Sequence, residues 1–434
     1  MKLFDKKDVL NGKIGVFTGI SIVVANMIGT GVFTTLGFQL EKLSNTAVVL
    51  TLWVFGGLLA LSGAFSYAEI GTFIRKSGGE YTFLSHCYHP LMGYLSGWIS
   101  LTVGFAAPIA LAAIAFTEYF PLQTPYPKMI AIVLLAIVTC FHCRNLKLSS
   151  NFQNIFTIFK ILFIVFFLCI GIFVPSDGGS PIRFGQDYCT EIVSTAFAVS
   201  LIYVSYSYSG WNAAVYITEE FKNPVRALPV ALIGGTLIVT VFYTLLQYTF
   251  LKHVPVSELT GCLNVGVITM ERILGANAAS IFGGAISLLL ISGISAMVWI
   301  GSRVTASIAS EYRLWRFFQQ KANGVPVRAL VLQGIISAFL IMTGTFKQII
   351  IYCGVLLSIS SLLVVIGIFI LRYKNKQELS FRSPLFPLFQ IIFILASLWM
   401  IIFAFLNETK ETLLGLLNIG FGLITYAISK YKYK

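Results

Sequence analysis

Residues 23–37 read Val23-Val24-Ala25-Asn26-Met27-Ile28-Gly29-Thr30-Gly31-Val32-Phe33-Thr34-Thr35-Leu36-Gly37, and the fold is decided by what they can and cannot form. They lie inside an apolar run long enough to cross a bilayer, yet Gly29, Thr30 and Gly31 stand at its middle. Glycine costs about 1 kcal/mol relative to alanine inside a helix. A backbone opened in hydrocarbon leaves amides and carbonyls unpaired, so a break is tolerated only where protein buries it or it lines a wet cavity. Two readings follow: a close helix–helix contact through small residues, or a broken helix that holds a ligand. A second interruption, Tyr206-Ser207-Tyr208-Ser209-Gly210-Trp211-Asn212, sits in the middle of another hydrophobic span far downstream. Two interrupted segments at matching places in two halves of a membrane chain point to a transporter's central site.

The 434 residues are 57% hydrophobic and only 11% charged, with a mean hydropathy of +0.86. Soluble domains carry about 25% charged residues, so the chain is expected to be an all-α polytopic membrane protein. Twelve spans are expected, at 14–38, 46–73, 91–118, 128–145, 151–174, 190–217, 229–251, 278–308, 328–345, 348–371, 385–406 and 412–430. The net charge of +13 raises the question of nucleic acid. With both termini placed inside, however, 22 lysines and arginines fall on the inner side and 7 on the outer, leaving Lys160 within a span. That bias is the positive-inside rule; the charge sets topology and implies no nucleic-acid partner. No cleavable signal peptide is expected, because the first apolar run is too long and lacks a small-residue cleavage site.

Lys160 stands out, with apolar residues on its C-terminal side and about nine residues, roughly 14 Å at the helical rise, between it and the edge near Asn151. A lysine at the bilayer centre costs about 2.5–3.5 kcal/mol. Snorkelling would relieve part of that; the functional reading is an interior ionisable group whose solvation changes with conformation. Glu69, near the inner edge of the second span, is expected to pair with Arg75, Lys76 or a basic residue of another loop. Glu219 and Glu220, beside Lys222 and Arg226, suggest an ion-pair cluster able to open and close. His86 and His89 read as solvated loop residues, and the loop 252–277 has room for a short outer helix. Cys140 and Cys143 form a CxxC without redox context, while Cys189 and Cys262 fall in outer loops where pairing stays open. The sequence holds no HExxH, no GxSxG and no Walker loop, so neither an enzyme nor a cofactor or metal is expected.

The Gly-Thr-Gly break joins Tyr67-Ala68-Glu69, Ser77-Gly78-Gly79-Glu80-Tyr81, Ser209-Gly210-Trp211-Asn212, Thr218-Glu219-Glu220-Phe221-Lys222-Asn223-Pro224 and Gly301-Ser302-Arg303-Val304. In this order over residues 13–430, these motifs resemble the amino acid–polyamine–organocation superfamily, and within it the L-type amino acid transporter branch and its bacterial relatives. The resemblance implies a five-plus-five inverted repeat of the leucine-transporter type, residues 14–174 and 190–371, with discontinuous helices 1 and 6. Two appended helices would follow at 385–430, with short inner tails at 1–13 and 431–434.

It also implies a site. An amino acid carboxylate would meet the amides of Gly29, Thr30 and Gly31, as an anion meets a half-helix N-terminus, and a side chain at Gly31 would fill that approach. The ammonium would meet carbonyls at Met27, Tyr206 and Ser209, with Gly210 completing the second break. Tyr206 would be an aromatic gate and Asn212 a polar pocket residue. Lys160 matches a lysine standing where sodium-coupled relatives hold a cation, and Tyr243 a tyrosine linked to it. Thr30 and Ser209 depart from the family's common serine and glycine.

The expected function is sodium-independent transport of amino acids by alternating access, by exchange or proton coupling. With no fixed carboxylate or arginine evident in the pocket, neutral substrates are favoured. The alternative is a transporter-like receptor that binds an amino acid without moving it. Animal members linked to a heavy chain carry a cysteine after span 3; residues 117–127 have none, so no disulfide-linked heavy chain is expected. Compact loops and short tails suggest a bacterial inner membrane.

Overall fold

The computed structural model describes residues 14–120, 125–144, 146–176, 178–319, 325–374 and 380–432. Among these residues the chain is helical, and its one β feature is an isolated bridge between Ile14 and Phe221. Nine helices among the described residues are long and apolar enough to cross a membrane: Val16–Thr34, Thr46–Ile74, Pro90–Tyr119, Ile155–Phe173, Pro224–His253, Ala276–Glu311, Phe346–Lys374, Leu388–Asn407 and Thr409–Ser429. Two shorter apolar helices, Pro127–Cys143 and Val327–Thr343, accompany them. The expected sixth span is no continuous helix. Thr195–Tyr208 ends after 14 residues, and a 3-10 segment, Ala213–Glu220, follows beyond a turn. The expected tail 1–13 lies outside the described residues.

The interior is built by close approach. A Cβ on Gly57 would come within 2.9 Å of the Thr240 Cβ, so the Thr46–Ile74 and Pro224–His253 helices touch almost backbone to side chain. With little hydrophobic drive between helices in lipid, such small-residue packing and interhelical hydrogen bonds hold the bundle together. Glu69 supplies the strongest tie. Its fully buried carboxylate is gripped by Arg372 through Nε at 2.6 Å and a second nitrogen at 2.8 Å, and accepts the Ser383 amide at 2.6 Å. The partner is the basic residue from a distant segment, not Arg75 or Lys76, and its guanidinium lies 3.7 Å over the Phe386 ring.

The segment after 252 forms two short helices, Val256–Leu259 and Val265–Leu274, as its length allowed. They cover the far end of the first span: a Cβ on Gly37 would come within 2.9 Å of the Leu259 carbonyl. The Tyr119 hydroxyl bonds the carbonyls of Phe33 and Leu263 at 2.9 and 3.0 Å. His89 is not merely solvated; its Nδ1 accepts the Leu91 amide at 3.2 Å and caps the third span. All seven cysteines, including the Cys140–Cys143 and Cys189–Cys262 pairs, are free thiols.

Candidate functional site

The first break follows from its glycines. Helix Val16–Met27 stops at Ile28, whose φ of −69° and ψ of 95° are extended, and helix resumes at Gly31–Thr34. Among the described residues, the Gly29 and Thr30 amides donate to no backbone carbonyl. On the other side of the gap the freed carbonyls are engaged. The Tyr243 hydroxyl donates to Met27 at 2.5 Å, and the Lys160 ammonium to Ile28 at 3.4 Å. Lys160 is only 5% exposed, so it does not snorkel; it ends against the negative end of a half-helix. Thr34 and Thr35 donate back to the carbonyls of Thr30 and Gly31 at 2.9 and 2.8 Å, tightening the short turn.

The second break crosses the first. After Tyr208 the Ser209 amide returns to the Tyr206 carbonyl at 2.9 Å, and Gly210 takes a φ of 98° that only glycine adopts freely. A Cβ there would stand 2.7 Å from the Asn26 carbonyl oxygen. At the reciprocal contact, a Cβ on Gly31 would lie 2.7 Å from the Ser207 Cα. A side chain at Gly31 therefore meets the second broken span before anything else. Thr30 reaches across to the Tyr206 phenol, which is 6% exposed.

Both breaks line one cavity of about 970 Å³. Pockets for small ligands run about 300–1,000 Å³; this one includes a route outward, toward the end marked by Ile14, Ser77, Glu219 and Arg303. Met27, Gly29, Thr30, Gly31, Lys160, Tyr206, Ser209, Gly210 and Asn212 are all on its wall. Tyr243 is not; it supports the Met27 carbonyl from behind. Opposite the breaks, the third span forms a π-helical turn, Ser100–Phe105, contributing Ser100, Gly104 and Phe105. Such turns interrupt helices chiefly at functional sites; Gly97, Gly104 and Pro108 were its only trace in the sequence.

The cavity corrects two expectations. Its wall does hold carboxylates, Glu80, Glu219 and Glu220; Glu80 is 4% exposed and accepts the Asn212 side-chain amide at 3.2 Å. An arginine, Arg303, also lines it, its guanidinium 4.1 Å over the Trp299 ring. The expected ion-pair cluster of Glu219 and Glu220 with Lys222 and Arg226 is not formed among the described residues. Instead Glu219 accepts the Ser77 amide at 3.3 Å, and Glu220 faces Arg303. Backbone replaces charge here: Ile14 bonds the Glu220 carbonyl and the Lys222 amide at 2.9 and 3.1 Å, pinning the approach to the first span to this segment.

A bundle of membrane-crossing helices, two of them interrupted where they meet around a central cavity, defines a polytopic membrane protein with a transporter-like site. The chain belongs to the amino acid permease family, whose sequence model matches residues 14–425. It is similar to the b(0,+)-type amino acid transporter 1 of Mus musculus, 28% identical over 98% of this chain and 89% of that one. The Homo sapiens protein of the same name is 28% identical over 97% and 88%. The Homo sapiens large neutral amino acids transporter small subunit 2 is 26% identical over 97% of this chain and 81% of that one.

Proposed function

We propose that this permease carries neutral amino acids across a membrane by alternating access, independently of sodium and by exchange of one amino acid for another. The observation that carries the reading is the pairing of the two breaks. Amides at Gly29 and Thr30 that make no backbone–backbone bond line the same cavity as the Ser209–Gly210 turn, so one zwitterion can be held at both ends. The carboxylate takes the amides from Gly29 to Gly31. The ammonium takes the second lone pairs of the Met27 and Tyr206 carbonyls, each already accepting one bond, and the Ser209 carbonyl. Lys160 supports sodium independence, since a fixed ammonium on the Ile28 carbonyl does the work of a cation between the first and fifth spans. Neutral substrates are supported by Glu80: its oxygens already accept four hydrogen bonds, leaving little for a cationic side chain.

Twelve spans in a five-plus-five repeat complete the reading. One relative is named a small subunit; we infer that this chain acts without a disulfide-linked companion, because residues 117–127 carry no cysteine. Counterflow in proteoliposomes containing this chain alone, preloaded with neutral amino acids, tests the whole reading. Uptake that needs internal amino acid and ignores a pH gradient marks an exchanger. Concentrative uptake into empty vesicles under the gradient replaces exchange with proton symport. Binding without flux makes the protein a receptor, and no saturable uptake or binding of any amino acid removes the reading.

A further inference from the structure

Glu80 opens the helix Glu80–Cys87, which lies between two spans, and the turn before it explains its burial. Gly78 and Gly79 take φ values of 113° and 57°, and a Cβ on Gly79 would lie 2.5 Å from the Tyr216 ring. The chain is thereby folded back so that Glu80 enters the bundle. There it accepts bonds only from neutral donors. The Tyr67 hydroxyl at 2.6 Å, the Asn212 amide at 3.2 Å and the Ser361 hydroxyl at 3.2 Å reach Oε1, and the Ser360 hydroxyl at 2.5 Å reaches Oε2. These donors come from the second span, the second break and the Phe346–Lys374 helix.

No ion pair involves Glu80 among the described residues. The contrast with Glu69 is direct, since that equally buried carboxylate has Arg372. The titratable groups facing Glu80 are Tyr67 and Tyr216; from the Phe346–Lys374 helix it meets serines, behind which Ser96 touches Ser360 at 3.2 Å. An isolated buried carboxylate is costly and is relieved by neutralisation. A proton on Oε2 does this with every partner left in place: Ser360 turns its hydroxyl from Oε2 to Ser96 and accepts from Oε2 instead. Burial pushes the Glu80 carboxyl above its usual range even against its four donors.

Resting on the exchange reading above, we propose that Glu80 binds a proton that biases the conformations of the exchange cycle without net proton transport. Protonated while the cavity is open toward the Ile14 end, it ties the second break, through Asn212, to the Phe346–Lys374 helix. It releases the proton when the break moves and water reaches it. Protons thus favour the conformation that buries Glu80, and raising the pH favours the one that wets it.

The test uses the full chain in proteoliposomes, following counterflow of whichever amino acid the wild type moves fastest. Across the pH range in which the protein stays folded, wild-type rates should change at least about fivefold, and Glu80→Gln should flatten this to within about twofold. A flat wild-type profile, or a Glu80→Gln profile matching a sloped wild type, overturns the proposal. Should Glu80→Gln fail to reach the membrane, Ser360→Ala removes a donor from the ionised form and must move the midpoint upward; an unmoved midpoint overturns it equally. Infrared spectra of purified wild type must show a protonated carboxyl band near neutral pH that Glu80→Gln or Ser360→Ala alters. Absence of wild-type flux for every amino acid defeats the transporter reading itself, and the band alone then decides whether Glu80 holds a proton.

Discussion

Three glycines form the two breaks, and the structure ranks them. Gly210 has a φ of 98°, and an added Cβ would stand 2.7 Å from the Asn26 oxygen and 3.1 Å from the Met27 nitrogen. Both neighbours are backbone and cannot rotate away. A left-handed conformation costs an L-residue about 1–2 kcal/mol, and overpacking a tight contact about 1–3 kcal/mol. Gly210→Ala should therefore cost about 2–5 kcal/mol, which at about 1.4 kcal/mol per decade is roughly 30- to 3,000-fold in substrate affinity. The loss appears in binding rather than folding if the breaks separate locally. Gly29 differs: its Cβ would meet nothing closer than the Met27 oxygen at 3.8 Å, with no positive φ. Gly29→Ala should change affinity less than about threefold, a few tenths of a kcal/mol. Equilibrium binding of labelled amino acid to purified protein, read beside thermal unfolding, separates site from fold. Wild-type affinity in Gly210→Ala, or a larger loss in Gly29→Ala, would refute the crossing of the two backbones.

Further outcomes follow from single contacts. Tyr243→Phe keeps the ring packed on Trp53 and Tyr208 but removes the partner of the Met27 carbonyl; an orphaned carbonyl costs about 1–3 kcal/mol, so binding should weaken about 5- to 150-fold by the same assay. Lys160→Ala deletes a buried ammonium whose insertion costs about 2.5–3.5 kcal/mol, so thermal stability should hold while counterflow falls by more than about tenfold. Wild-type flux in that variant would return Lys160 to a structural role. Arg372→Met strands the buried Glu69 charge and should destabilise by about 3–5 kcal/mol, whereas Glu69→Gln combined with it should recover much of the loss in thermal unfolding.

Spans were legible because length and apolarity speak for themselves over about 20 residues. The breaks were legible because glycines interrupt two apolar spans at matching places in the chain. Partners were not. Nothing local marks Ser207 as the wall behind Gly31, or Arg372 as the counter-ion of Glu69 across 303 positions. Glu80 was hidden for a different reason: in Ser77-Gly78-Gly79-Glu80-Tyr81 the polar, glycine-rich composition is that of a surface turn. It is one, but a turn with two positive φ values aims its next residue inward. The ion-pair cluster failed because four charges in eight residues do not share a face once a 3-10 segment and an extended Phe221 separate them.

Lys160 and Glu80 share a design that the two breaks make possible. Each is almost wholly buried, each lacks an ion-pair partner among the described residues, and each touches one interrupted span. Lys160 sits on a carbonyl freed at the C-terminal end of a half-helix, where the dipole favours a cation. Glu80 sits among neutral side-chain donors, one of them the side-chain amide of Asn212 just before the 3-10 segment. A group held by dipoles rather than by an opposite charge is held only while that geometry lasts. If either span moves, its charge must find water or change its protonation. An ion pair such as Glu69 with Arg372 fixes helices together; these two lone ionisable groups instead have energies that depend on where the broken helices stand. Coupling of substrate to conformation then needs no further part: a zwitterion bridging the Gly29 amides and the Ser209 turn draws both breaks, and with them both charges, into one equilibrium.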